Sequence, residues 1–87
     1  MATNGQLRRA IKHARRNGWL SHWNGSLTLP TRQGMRAVTV EWDVHHRNIR
    51  RVIERGPESH GQPRNVSIRR AITVLNAEYD RDGNPIA

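Results

Sequence analysis

Cysteine is absent, which excludes disulfides, a thiol nucleophile and any cysteine-based zinc or iron–sulfur site. Phenylalanine is absent as well, and aromatic residues make up 5% of the chain, so few bulky side chains are on hand for a core. The chain has 87 residues, 34% of them hydrophobic, with a mean hydropathy of −0.86. Folding at that size hides only about 60–65% of the unfolded surface, and the expected core is thin. No apolar run nears the roughly 18 residues of a membrane span. Met1–Leu20 also lacks the apolar stretch of a signal peptide, so a cytoplasmic protein with no membrane partner is expected.

What is abundant is positive charge. Lys and Arg number 15 against 7 Asp and Glu, for a net charge of +8 with neutral histidines. All but Lys12 of these cations are arginine, the side chain suited to bidentate phosphate and base-edge contacts. A pI near 11.7 in so short a chain points to a polyanionic partner, RNA or DNA, more readily than to a small acidic ligand.

The pattern along the chain predicts an α+β fold with the order α-β-β-β-α, a three-stranded antiparallel meander and an extra C-terminal helix. Thr3 to Gly18 reads as a helix. Thr3 and Gln6 can form a capping box, Leu7, Ala10, Ile11 and Ala14 make one stripe, and Gly18 can close the helix in the left-handed conformation. From Trp19 the period changes to two, and Asn24-Gly25 is a short hairpin signal. A two-residue turn there would set Trp23 opposite Ser26, His22 opposite Leu27 and Leu20 opposite Leu29, with positive φ at both Asn24 and Gly25. Arg36–Trp42 is the third strand, with Val38, Val40 and Trp42 on one face. Asp43 is expected to cap a second helix reaching Arg55, with Val44, Ile49, Val52 and Ile53 buried and Gly56-Pro57 as the stop. Residues 1–56 would then be the core of a single domain and 57–65 a turn-rich connector. A further helix is expected over 66–79 and a frayed tail over 80–87.

This arrangement resembles the double-stranded-RNA-binding fold, and the chain from about Gly5 to Gly56 resembles the HicA family of small toxins that share it. Three features carry the likeness. A basic opening helix ends in Asn17-Gly18-Trp19, and a hairpin carries Gly25-Ser26. Val38-Thr39-Val40 then leads through Val44-His45-His46-Arg47 into Asn48-Ile49-Arg50-Arg51-Val52-Ile53. The resemblance implies a messenger-RNA-cleaving toxin held in check by an antitoxin partner, with one histidine just after the Gly-Ser. That position here is Leu27, which can neither take nor give a proton, so the resemblance implies a degenerate enzyme that keeps its RNA-binding surface. Any remaining activity would be metal-independent RNA cleavage.

The candidate residues follow. His22 is the one titratable side chain expected beside Leu27, and so the one candidate for a relocated catalytic base. Arg8, Lys12, Arg15 and Arg16 cover the outside of the first helix. Arg47, Arg50 and Arg51 should share a face of the second, where such a fold meets phosphates, and His46 could meet a phosphate at that helix's start. His45 and His46 are neighbours about 100° apart on a helix and make a poor ligand pair, so neither a metal nor another cofactor is expected. Ser26 lacks a His–Asp pair and is no hydrolase nucleophile. Trp19 and Trp42 are assigned to packing and Trp23 to an exposed hairpin tip, although any of the three could stack on unpaired bases. Two other readings stay open: a dimeric DNA-binding regulator using Arg69 and Arg70 of the last helix, and a small inhibitor of an acidic protein surface.

Overall fold

The computed structural model describes residues 2–86; Met1 and Ala87, the ends of the expected core and tail, lie outside the described residues. The fold is α+β. Helix α1 (Asn4–Arg16) precedes five strands: β1 (Leu20–Ser21), β2 (Ser26–Thr31), β3 (Gly34–Trp42), β4 (Ile49–Arg55) and β5 (Arg64–Val66). Helix α2 (Ile68–Asn76) follows. The strands form one antiparallel sheet in chain order, with β2, β3 and β4 as its central meander.

Helix α1 forms where the sequence places it. The Gln6 N–H donates to Thr3 Oγ1 at 3.1 Å while the Thr3 N–H donates to Gln6 Oε1 at 2.9 Å, which satisfies two otherwise free groups. At the other end Gly18 takes φ +96° and the Trp19 N–H reaches back to the Ala14 carbonyl at 3.1 Å.

Both helices cover the same face of the sheet. Leu7, Ala10 and Ala14 of α1 and Ala71, Val74 and Leu75 of α2 meet Leu27, Val38, Val40 and Val52 in one core. Trp19 joins it, with Tyr79 edge-on at 6.3 Å between ring centroids. The other face carries Thr28, Thr39, Arg51, Ile53 and Arg55, since alternate residues of a strand point to opposite sides.

Several expectations are corrected. Residues 43–55 do not form a helix: 43–48 is a loop, and Ile49–Arg55 is β4, antiparallel to β3. Asp43 does accept backbone N–H groups as a cap would. Its own N–H, however, pairs with the Asn48 carbonyl at 2.8 Å, which closes a hairpin. Ile49, Val52 and Ile53 look helical because Arg50 is an extra residue. Glu41 pairs with Arg51 and Trp42 with Ile49, and the bulge shifts the alternation by one.

The β1–β2 hairpin has a three-residue loop rather than two. The His22 N–H donates to the Ser26 carbonyl and the Gly25 N–H to the His22 carbonyl, with positive φ at Gly25 but not Asn24. The register is Leu20 opposite Thr28 and Ser21 opposite Leu27, so His22 and Leu27 lie on opposite faces.

The expected connector ends in β5, and the last helix is shorter than 66–79: Ser67 caps its start by accepting the Arg70 N–H at 3.0 Å, and Ala77 leaves it in extended backbone. The described part of the tail, 80–86, is ordered. Tyr79 pairs with Pro85, and Arg36, 4% exposed, donates to the Gly83 carbonyl at 3.0 Å.

Gly25 carries φ +87°, and a Cβ built there would lie 3.0 Å from the Val40 carbonyl oxygen. Gly25→Ala should therefore cost about 1–3 kcal/mol of stability, read from denaturant unfolding. Wild-type stability in that variant would show that the loop does not need this backbone.

Candidate nucleic-acid interface

The basic residues of α1 follow from its stripe. At about 100° per residue, Arg15, Arg8, Lys12, Arg16, Arg9 and His13 succeed one another around the arc opposite Leu7, Ala10 and Ala14. No acidic residue lies in this helix, and every acidic residue of the chain falls after Val40. Among the described residues, Arg9, Lys12, Arg15 and Arg16 make no ion pair.

One flank of this arc borders a cleft of about 930 Å³ at the end of the sheet, between α1, the β1–β2 hairpin tip and the start of β4. Arg15, His22, Trp23, Trp42, His46, Arg50 and Arg51 line it. The bulge brings Arg50 here, since the extra residue leaves the ladder and its side chain is re-aimed. Arg51 is tied to Glu41 by two hydrogen bonds, one of them 3.1 Å from Arg51 Nη2 to Glu41 Oε1. That bond holds the Glu41 carboxyl below its usual range, and Glu41 offsets one cation of the cleft. The other flank borders a groove of about 620 Å³ between the two helices, lined in part by Arg9, His13 and Arg69.

Loop 43–48 is fixed to α1. Arg8 Nη2 donates to the His46 carbonyl and Asn4 Nδ2 to the Arg47 carbonyl, each at 3.0 Å, while the Arg8 guanidinium stacks 4.2 Å from the Trp42 ring. Asp43 Oδ1 accepts the Arg47 and His45 N–H groups, and Oδ2 accepts Asn48 Nδ2. His46, inside the loop, takes φ +55°.

The sequence candidates are thus partly gathered. Arg15, His22, His46, Arg50 and Arg51 share the cleft, and Arg8, Lys12 and Arg16 lie on the adjoining helix arc. Arg47 sits in the loop and does not line the cleft, so the expected shared helix face of Arg47, Arg50 and Arg51 is not formed. His22 donates to or accepts from Thr28 Oγ1 at 2.8 Å, on the face away from Leu27. Leu27 itself is 2% exposed in the core, so a histidine there would be buried beneath the helices rather than offered to a substrate. Arg9 and Arg69 were not singled out as contacts of one groove; the run of forty residues without an acid is the signal that marks α1.

Among the described residues no three His, Asp or Glu side chains come together in a way that could hold a metal ion, and no helix is long and apolar enough to cross a membrane. Comparison with family models, curated proteins and solved structures finds no match to this chain.

The hydrogen bonds that Asp43 receives, that of Arg47 first, lower its pKa from the ordinary 3.8. A lowered folded pKa stabilises the loop fully above 3.8, and that contribution is lost as pH falls through the lower folded value. The protection of the His45 and Arg47 amides, relative to their intrinsic exchange at each pH, should fall across that acid window while α1 amides keep theirs. An equal fall in both would contradict a local role for Asp43.

Proposed function

We propose that the protein is a small cytoplasmic RNA-binding protein that holds the phosphate backbone along α1 and in the adjoining cleft. One observation carries the reading: an unbroken arc of cations on α1, with no acid among them, joins two concave basic surfaces. A surface of that kind would recruit a polyanion, because each phosphate neutralised releases condensed counterions. Arginine adds bidentate geometry to the charge. RNA is preferred to DNA on the resemblance of the chain to HicA-type toxins.

Binding without cleavage is the expected activity. Leu27 stands where that resemblance implies a catalytic histidine, and it is buried. His22, the candidate replacement, is held against Thr28 on the other face, and among the described residues no carboxylate pairs with its ring. The DNA-regulator reading is less favoured, because Arg70 of α2 is bound to Glu54, which leaves Arg69 as the one of the pair without an ion pair among the described residues.

The test is binding of labelled single-stranded and duplex RNA and DNA across a salt series, with EDTA present and the RNA checked for intact length. Lys12→Ala/Arg15→Ala/Arg16→Ala should leave the melting temperature near wild type, because all three are exposed. It should flatten the log–log salt slope on single-stranded RNA by about 2 units. Failure of the wild type to bind any nucleic acid, or an unchanged slope in the triple variant, would overturn the proposal.

A further inference from the structure

Trp23 is 99% exposed, in a chain whose other two tryptophans are used by the fold: Trp19 is 3% exposed and Trp42 lies under Arg8. The largest apolar side chain available therefore stands wholly in water, where it contributes nothing to the core. It is also held on a defined backbone. The loop 23–25 is closed by the His22 and Gly25 N–H bonds and by Asn24 Oδ1, which accepts the Ser26 N–H at 3.1 Å. The Gly25 carbonyl in turn accepts the Val40 N–H at 3.3 Å, which anchors the tip to β3. The backbone beneath the indole is thus already ordered, and a ligand has only the side-chain torsions left to fix.

Its surroundings specify the ligand. Trp23 shares its cleft with Arg15 and Arg50, neither of which is in an ion pair among the described residues. A flat π-surface beside unneutralised guanidinium groups matches a base attached to phosphate, and a base can reach such a surface only when it is unpaired. Resting on the nucleic-acid reading above, we propose that Trp23 is a stacking platform for one unpaired nucleobase, with Arg15 and Arg50 holding the adjoining phosphates. The site thus selects single-stranded segments, and it does so through the π-face of the base rather than through hydrogen bonds to its edges.

The experiment compares a single-stranded oligoadenylate with a base-free control, an abasic strand of equal length and charge, for wild type, Trp23→Ala and Trp23→Tyr. The wild type should bind oligoadenylate more tightly than the abasic strand, and its tryptophan emission should be quenched by oligoadenylate alone. Trp23→Ala should lose about five- to a hundredfold on oligoadenylate and little on the abasic strand. Trp23→Tyr should recover most of the loss. Since the side chain packs against nothing, melting of both variants should match the wild type. Equal oligoadenylate affinity for wild type and Trp23→Ala, with both strands still bound, would overturn the stacking site and leave the phosphate-binding surface intact. No binding of either strand by the wild type would overturn both. A self-associated wild type made monomeric by Trp23→Ala, with oligoadenylate binding unchanged, would also overturn it and assign Trp23 to contact with a second copy.

Discussion

The close approach of Gly25 to β3 fixes which side chains the protein hides and which it presents. The Gly25 carbonyl accepts the Val40 N–H, and the residue's left-handed backbone leaves no room for a side chain against the Val40 oxygen. That contact ties the hairpin tip to the middle strand and sets a three-residue loop. In a sheet, a slip of one residue exchanges the two faces. With this register Leu27 enters the core opposite Val38, His22 turns to the uncovered face beside Thr28, and Trp23 projects from the tip. A two-residue loop would instead set His22 directly opposite Leu27, with both side chains on one face.

Charge is separated along the molecule by the same economy. Glu54, nearly buried, receives Arg64 and Arg70, with Arg64 Nη2 at 2.9 Å from Oε1 and Arg70 Nη2 at 3.3 Å from Oε2. Arg36, also buried, takes both oxygens of Glu58 and stacks on Tyr79 at 4.5 Å, so the short turn after β4 and the C-terminal tail are held to β3. The Arg36 guanidinium keeps the Glu58 carboxyl below its usual range. A buried charge left without its partner is strongly destabilising, which commits these acids to structure. Glu41 is committed to Arg51, and Asp43 to its own loop. Among the described residues, the cations left without an ion pair include the whole arc on α1 and Arg50 of the bulge, with Arg47, Arg55, Arg69 and Arg81 spread over other elements.

Much of this was legible in the residues. The capping box, the Leu7–Ala10–Ala14 stripe and Gly18 define α1 locally, since each acts within a few residues. The alternation of Val38, Val40 and Trp42 likewise gives β3 its inner face. The strand at 49–55 was not legible because one extra residue, Arg50, puts Ile49, Val52 and Ile53 at helical spacing. The hairpin register was not legible because Asn24-Gly25 suits both a two-residue turn and a three-residue loop with glycine last. Only the contact with Val40, fifteen residues on, chooses between them. Strand β5 has three residues and is defined by its partner rather than by its own pattern. For the site, the cations of α1 were visible as a helix face. The convergence of Arg15, His46, Arg50 and Trp23 depends on a bulge and a loop that no local pattern encodes.

The central claim is that the polyanion lies across α1 and enters the cleft at the hairpin tip. Titration of isotope-labelled protein with an oligoadenylate, followed by amide chemical shifts, tests it residue by residue. Shifts should concentrate on the outer arc of α1, on Trp23–Gly25 and on His46–Arg51, and they should fade as salt is raised. Shifts confined to β5 and the 78–86 tail, or an unchanged spectrum at saturating oligonucleotide, would contradict the account.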